Sequence, residues 1–401
     1  MMERPRFEVA DVFRLYGDGY RQAHGSSMSL DQLRIMRDIE TCRTAALGGH
    51  VDACEECGVI QISYNSCCNR HCPKCQSLAK TRWLKARLEE LLPVEYFHVV
   101  FTVPDPVAAI ALQNKRTVYN ILFRTAAQTL RMIAADPKHL GADIGFIAVL
   151  HSWGQNMLLH PHLHFIVPGG GFDHSGQRWV SCRPGFLVPV RVLSRLFRRL
   201  FLEALDKAFQ KGELEFHGSL VELSARERFD VWLKPARQTE WVVYSKKPFG
   251  GPEKVLDYLG RYTHRVAISN HRILKVGNGK VTFSWRDYRH GNRKRTMTLK
   301  ADEFIRRFFL HTLPKGFVRI RQYGFLANRQ RAAKLERARE LLQVPKPIDE
   351  AVSEDWRDLY QQLTGTDPTL CPICGKGQLV CIETLDPEPA PVWAPETIDS
   401  S

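Results

Sequence analysis

The chain has 401 residues, 44% of them hydrophobic, enough for two or three domains with real cores. Its net charge is +14, with Arg195, Arg198 and Arg199 in one cluster and Arg286, Arg289, Arg293, Lys294 and Arg295 in another, which favours a polyanionic partner, nucleic acid first. No apolar stretch approaches the roughly 20 residues needed to span a bilayer, and MMERPRFEVADVF lacks a signal-peptide core. The expected setting is therefore cytoplasmic, where clustered cysteines mean metal rather than disulfides.

In chain order, the first informative stretch is a cysteine cluster: of eleven cysteines, seven lie between Cys42 and Cys75. Cys54 with Cys57 and Cys72 with Cys75 form two CxxC knuckles around a short hairpin-like stretch, a spacing that can close tetrahedrally on one zinc. Cys42, His50, Cys67 and His71 remain for a second tetrahedral site, with Cys68 a bystander. The alternative is that the two histidines only hydrogen-bond around a single zinc. A module this small is expected to need its metal to fold. Arg70, Lys74, Lys80, Arg82, Lys85 and Arg87 flank it and suit phosphate contact.

A helix is expected from Arg82 to Leu92, then a strand over Glu95–Pro104 that is apolar on both faces and so central in a sheet. An amphipathic helix over Lys115–Ala135 precedes a strand near Gly145–Trp153, and a turn-rich link leads to a strand over His162–Val167, its expected antiparallel neighbour. Gly169, Gly170 and Gly171 make a flexible exit, and Cys182 reads as a small buried apolar side chain. Further on come a helix over Val190–Gln210, a strand over Trp241–Ser245, a helix opened by Pro252, and short strands from Val266 to Leu299 around a turn at Gly277, Asn278 and Gly279. A helix over Ala301–His311, the segment GFVRIRQYG and a basic helix over Asn328–Leu342 follow. The pattern predicts an α+β fold with a mainly antiparallel central sheet flanked by helices. Near the C-terminus Cys371 and Cys374 form a knuckle and Cys381 a third thiolate, a possible zinc site whose fourth ligand comes from elsewhere or is missing. The acidic, proline-rich tail beyond is expected to be disordered.

Two patterns carry chemistry. In HPHLHFIVPGGG, a strand would place His162 and His164 on one face and Leu163 on the other, a seat for a divalent metal. In DYLGRYTHR, Tyr258 and Tyr262 stand four apart, so a helix stacks both phenols on one face. Each pattern alone is weak, and a lone tyrosine is often an ordinary core aromatic. Together they are what metal-assisted attack of tyrosine on a DNA phosphodiester requires.

With NSCCNRHCPKCQ, HPHLHFIVPGGG, YLGRYTHRVAISN and LPKGFVRIRQYGFLA taken jointly, nearly the whole chain resembles rolling-circle insertion-sequence transposases of the two-tyrosine HUH-nuclease type, the IS91 family. The resemblance implies an N-terminal helical and zinc-binding domain over 1–92, a HUH single-strand nuclease domain over 93–345, a C-terminal segment over 346–381 with the extra knuckle, and a disordered tail over 382–401. It implies structural Zn2+, a catalytic Mg2+ or Mn2+ on His162 and His164, and attack by Tyr258 or Tyr262 that leaves a 5′-phosphotyrosine and a free 3′-hydroxyl. The third metal ligand is expected at Gln155, with His151 and His160 as alternatives. A phenol with a free pKa of ~10 needs nearby positive charge or a base; Arg261, His264 and Arg265 lie within a turn of the pair, and Arg261 and Arg265 are the expected DNA contacts. The expected partner is DNA, chiefly single-stranded element ends and target DNA. Histidines before tyrosine match transposases rather than conjugative relaxases, and Gln322 stands where many relatives would carry histidine. The rival readings are a HUH replication initiator and a non-enzymatic zinc-dependent DNA-binding regulator.

Overall fold

A computed structural model describes residues 5–75, 83–84, 86–246, 254, 260, 267–287, 291–345, 357, 361 and 367–389. The chain opens with two amphipathic helices, α1 (Val9–His24) and α2 (Leu30–Thr41). The second starts from a capping box in which Ser29 Oγ accepts the Gln32 amide and the Gln32 side chain accepts the Ser29 amide. The hairpin β1 (Gly49–Cys54) and β2 (Ile60–Tyr64) follows.

The centre is a five-stranded antiparallel sheet built from β3 (Tyr96–Thr102), β5 (Phe146–Trp153), β6 (Leu159–Pro168), β9 (Val243–Lys246) and β13 (Ile320–Tyr323), in the order β13-β5-β6-β3-β9. One face carries Phe97, Val99 and Phe101, Phe146, Ala148 and Leu150, and Leu163, Phe165 and Val167. These pack in one core with α3 (Asp105–Gln113), α4 (Lys115–Ala135), α5 (Val190–Gln210) and α6 (Arg226–Gln238). The residues between them on the same strands point the other way. There Ile147 and Val149 pack with Phe325 and with Leu335 and Ala338 of the C-terminal helix Arg331–Leu342. A small ribbon of β4 (Asp143–Ile144), β7 (Gly170–Phe172) and β8 (Trp179–Ser181) flanks the sheet. The expected glycine exit is thus a paired strand, with each glycine in close contact: a Cβ on Gly171 would meet the Asp143 carbonyl oxygen at 2.4 Å.

A second core joins distant parts of the sequence. Phe13 of α1 lies 5.3 Å from Phe308 and 5.8 Å from Phe309, ring to ring, on α7 (Ala301–Leu310). The sheet β10 (Ile273–Gly277), β11 (Lys280–Asp287) and β12 (Arg293–Lys300) adds Ile273, Val276, Val281 and Phe283 to it. The expected boundary at 92 therefore cuts across this core, because the apolar stripe of α1 is buried by residues from beyond 267.

The C-terminal end also departs from expectation. β14 (Leu379–Leu385) is a strand, antiparallel on β1, so residues 382–385 expected to be disordered complete a three-stranded sheet β14-β1-β2. β6 likewise starts at Leu159 rather than His162, running through Pro161, whose carbonyl accepts the Val103 amide.

Candidate metal centres

On β6, Leu163 and Phe165 point into the helix-covered core, which directs His162 and His164 to the opposite face. The antiparallel register sets His151 of β5 directly across from His162. Ring centroids are 4.8 Å apart for His162–His164, 5.4 Å for His151–His162 and 4.5 Å for His151–His164, and one ring nitrogen of each lies within 4.8 Å of the others. His151 is the third histidine of the group. Gln155 sits in the turn beyond β5, its carbonyl held by Arg272, whereas His151 is on the ladder itself. His160 lies at the strand entrance, its ring 5.1 Å from that of His162 and outside the triad.

Two hydrogen bonds fix which nitrogens face the centre. The His160 carbonyl can only accept, so the His162 Nδ1–H donates to it at 2.6 Å and leaves Nε2 with its lone pair. His164 Nδ1 lies 2.7 Å from Nε2 of the buried His98, with the rings within 10° of coplanar, which leaves His164 Nε2 for the centre. Burial pushes the pKa of His162 down to about 4, with His160 adding to the shift, and that of His98 down to about 3. Both are neutral near pH 7, the form that ligates a metal. Trp153 stacks on His151 at 4.7 Å, closing one side. Three imidazoles on one face suit a divalent metal and would leave its other positions to oxygen ligands, the open pattern of catalytic rather than structural centres. Sequence reasoning missed His98; it is the one polar residue in the apolar run FHVVF, a signal that its strand has a second, polar role.

The tyrosine motif, Tyr258 and Tyr262 with Arg261, His264 and Arg265, lies outside the described residues, as does Pro252. Lys254 and Gly260 are both helical, and Gly260 is buried. Gln322 sits on β13 across from Ile147, and its Oε1 accepts from Arg331 at 2.6 Å.

The cysteines form two groups of four, neither the expected one. Cys42, Cys67, Cys72 and Cys75 converge, with Sγ separations of 3.4 Å for Cys42–Cys75 and 3.6 Å for Cys67–Cys75. Cys54, Cys57, Cys371 and Cys374 converge elsewhere. The expected set of Cys54, Cys57, Cys72 and Cys75 fails for a geometric reason. Cys54 and Cys57 sit at the tip of the β1–β2 hairpin, while Cys42 precedes β1 and Cys67–Cys75 follow β2, at its base. At ~3.3 Å per residue, a strand of this length separates tip from base by roughly 15–20 Å, too far for one ion. His50 is turned to Asp52, Nε2 to Oδ2 3.3 Å, and belongs to neither group. His71 is held neutral by burial, its pKa near 3, beside Arg70, Arg319 and Lys115. Cys68 is exposed with φ +51° and stands apart, and Cys381 points to the Glu383 carbonyl, so it is not the third thiolate. Hydrogen bonds among the crowded thiols split them, pulling Cys42 and Cys75 down and pushing Cys67 and Cys72 up, the mark of sulfurs packed close enough to share protons. Four thiols in this arrangement match a closed structural zinc site.

Residues 145–334 match the family model described as "Putative transposase", and residues 12–103 the model described as "Transposase zinc-binding domain". The chain is 59% identical over 387 residues to "Putative transposase y4qJ" of Sinorhizobium fredii, covering 96% of this chain and 97% of that protein. It is 28% identical over 353 residues to "Transposase for insertion sequence element IS801" of Pseudomonas savastanoi pv. phaseolicola, covering 85% of this chain and 83% of that one. No solved structure matches the chain.

Proposed function

From the premise that this chain belongs to the IS91-type family of insertion-sequence transposases, we propose that it nicks and rejoins single-stranded DNA by tyrosine attack during rolling-circle transposition. The observation that carries this reading is the convergence of His151, His162 and His164 on the face of the central sheet opposite the α3–α6 core. Mg2+ or Mn2+ bound there would offset the charge of the scissile phosphate and orient it; an all-imidazole donor set favours Mn2+. His98 and the His160 carbonyl hold two of the imidazoles in the ligating tautomer.

Tyr258 or Tyr262 supplies the nucleophile. The phenol loses its proton to a base or to solvent, aided by the positive charge of Arg261 and Arg265, and its oxygen attacks phosphorus. The bond from phosphorus to the 3′-oxygen breaks, that oxygen leaves as a protonated 3′-hydroxyl, and the 5′-phosphate stays on tyrosine. Attack of a 3′-hydroxyl on this linkage reverses the step and frees the tyrosine. The bond energy is conserved, so no external energy source is needed. Two tyrosines allow one DNA end to be held while a second is attacked. Arg261 and Arg265 are also the proposed contacts to the DNA backbone.

The test is a covalent adduct on a denaturing gel, with the full chain, Mn2+ and a labelled single-stranded element end. Wild type and each single Tyr→Phe variant (Tyr258→Phe, Tyr262→Phe) should form adduct, and the double variant none. An adduct that survives the double substitution overturns the tyrosine assignment. No adduct from the wild type on any element end overturns the nuclease reading.

A further inference from the structure

The thiols at the hairpin tip and those near the C-terminus are 314 residues apart in sequence for Cys57 and Cys371, yet their Sγ atoms are 3.8 Å apart. Cys54 and Cys374 are 3.7 Å apart. A tetrahedron with Zn–S bonds of ~2.3 Å has an edge of about 3.8 Å, so both separations equal that edge, while a disulfide needs ~2.05 Å. The two knuckles are also alike in detail. Each reads Cys-x-x-Cys-Gly, with Gly58 at φ +67° and Gly375 at φ +66°. In each the glycine amide closes the turn on the first cysteine's carbonyl, 3.0 Å to Cys54 and 2.9 Å to Cys371. In each a backbone N–H points at a sulfur: Cys57 to Cys54 at 3.5 Å, Gly377 to Cys374 at 3.4 Å. Such donors stabilise thiolate. Glycine is required at 377, since a Cβ there would stand 2.5 Å from the Cys54 sulfur. By contrast Cys72-Pro-Lys-Cys75 is followed by Gln76 and lies in the other group.

We propose that Cys54, Cys57, Cys371 and Cys374 together hold one zinc ion, a clasp that binds the C-terminal strand to the N-terminal hairpin and completes the N-terminal module with the end of the chain. β14 lies outside the residues matched by the zinc-binding domain model, 12–103. The clasp supplies what the short β1–β14 ladder lacks, because a three-stranded sheet of this size has little core: Ile60, Ile62 and Ile382 are all more than half exposed.

Zinc counted per folded full-length chain tests this. The variant Cys371→Ser/Cys374→Ser should hold one zinc fewer than wild type, Cys57→Ser the same one fewer, and Cys381→Ser the full number. An unchanged count in the first variant overturns the clasp, since it means the N-terminal cysteines satisfy both ions alone. A second measurement keeps wild-type cysteines. With a site-specific protease sequence inserted after Pro345 and cut, the C-terminal piece should stay bound through purification and leave on zinc chelation. A piece that leaves before chelation, or stays after the zinc is gone, also overturns it.

Discussion

The histidine centre and the cysteine centres are built from opposite materials. The histidines stand on three positions of two adjacent strands, inside a sheet already held by its ladder and by a core of phenylalanines and branched residues. The thiols stand on turns and element ends: Cys54, Cys57, Cys371 and Cys374 in a small sheet with little apolar interior, and Cys42 and Cys72 buried at the second core. Three imidazoles would leave a metal open to substrate, whereas four thiols would close around it. A scaffold that folds without its metal can expose that metal to chemistry. A scaffold that folds because of its metal cannot give up a ligand position.

The sharpest way to break that contrast is His162→Ala. It should leave far-UV circular dichroism and melting temperature near wild type, and cut the nicking rate by roughly a thousandfold or more, the order expected when metal stabilisation of the phosphate charge is lost. If it unfolds the protein instead, the histidines are structural. Cys72→Ser should do the reverse. It removes a buried ligand from the first thiol group, so the chain should lose one zinc and melt earlier, or fail to accumulate, since apparent zinc-binding energies of such sites reach ~10 kcal/mol or more. A variant with wild-type stability and one zinc fewer would make that centre dispensable. His98→Phe keeps an aromatic ring and removes the hydrogen bond to His164. It should raise the Mn2+ concentration for half-maximal nicking about 10–100-fold and leave the rate at saturating Mn2+ nearly unchanged. A loss that excess metal cannot restore would mean His98 acts other than through His164.

The same contrast explains what the sequence made legible. His162 and His164 could be read because their relation is a two-residue period along one strand, and the buried strands and long helices could be read from equally local patterns. His151 was harder, because its place depends on the register between β5 and β6 and on the irregularity between His151 and Trp153. The thiol pairing failed since proximity in sequence stood in for proximity in space. The discriminating signal was there: CEECG and CPICG share a glycine that CPKCQ lacks. The first two helices entered only through the helical character that the resemblance implies for 1–92, and their packing was out of reach because the surface that buries α1 lies about 290 residues further on, at Phe308 and Phe309.

The position of β6 has one more consequence. It is the middle strand of five, bonded on one side to β5 and on the other to β3. Amide protons along it should exchange only when the whole sheet opens, not through fraying. The distances among the three imidazoles are therefore tied to the global unfolding equilibrium. On heating, metal affinity should hold nearly constant until the sheet melts and then vanish with it, without a separate transition of its own.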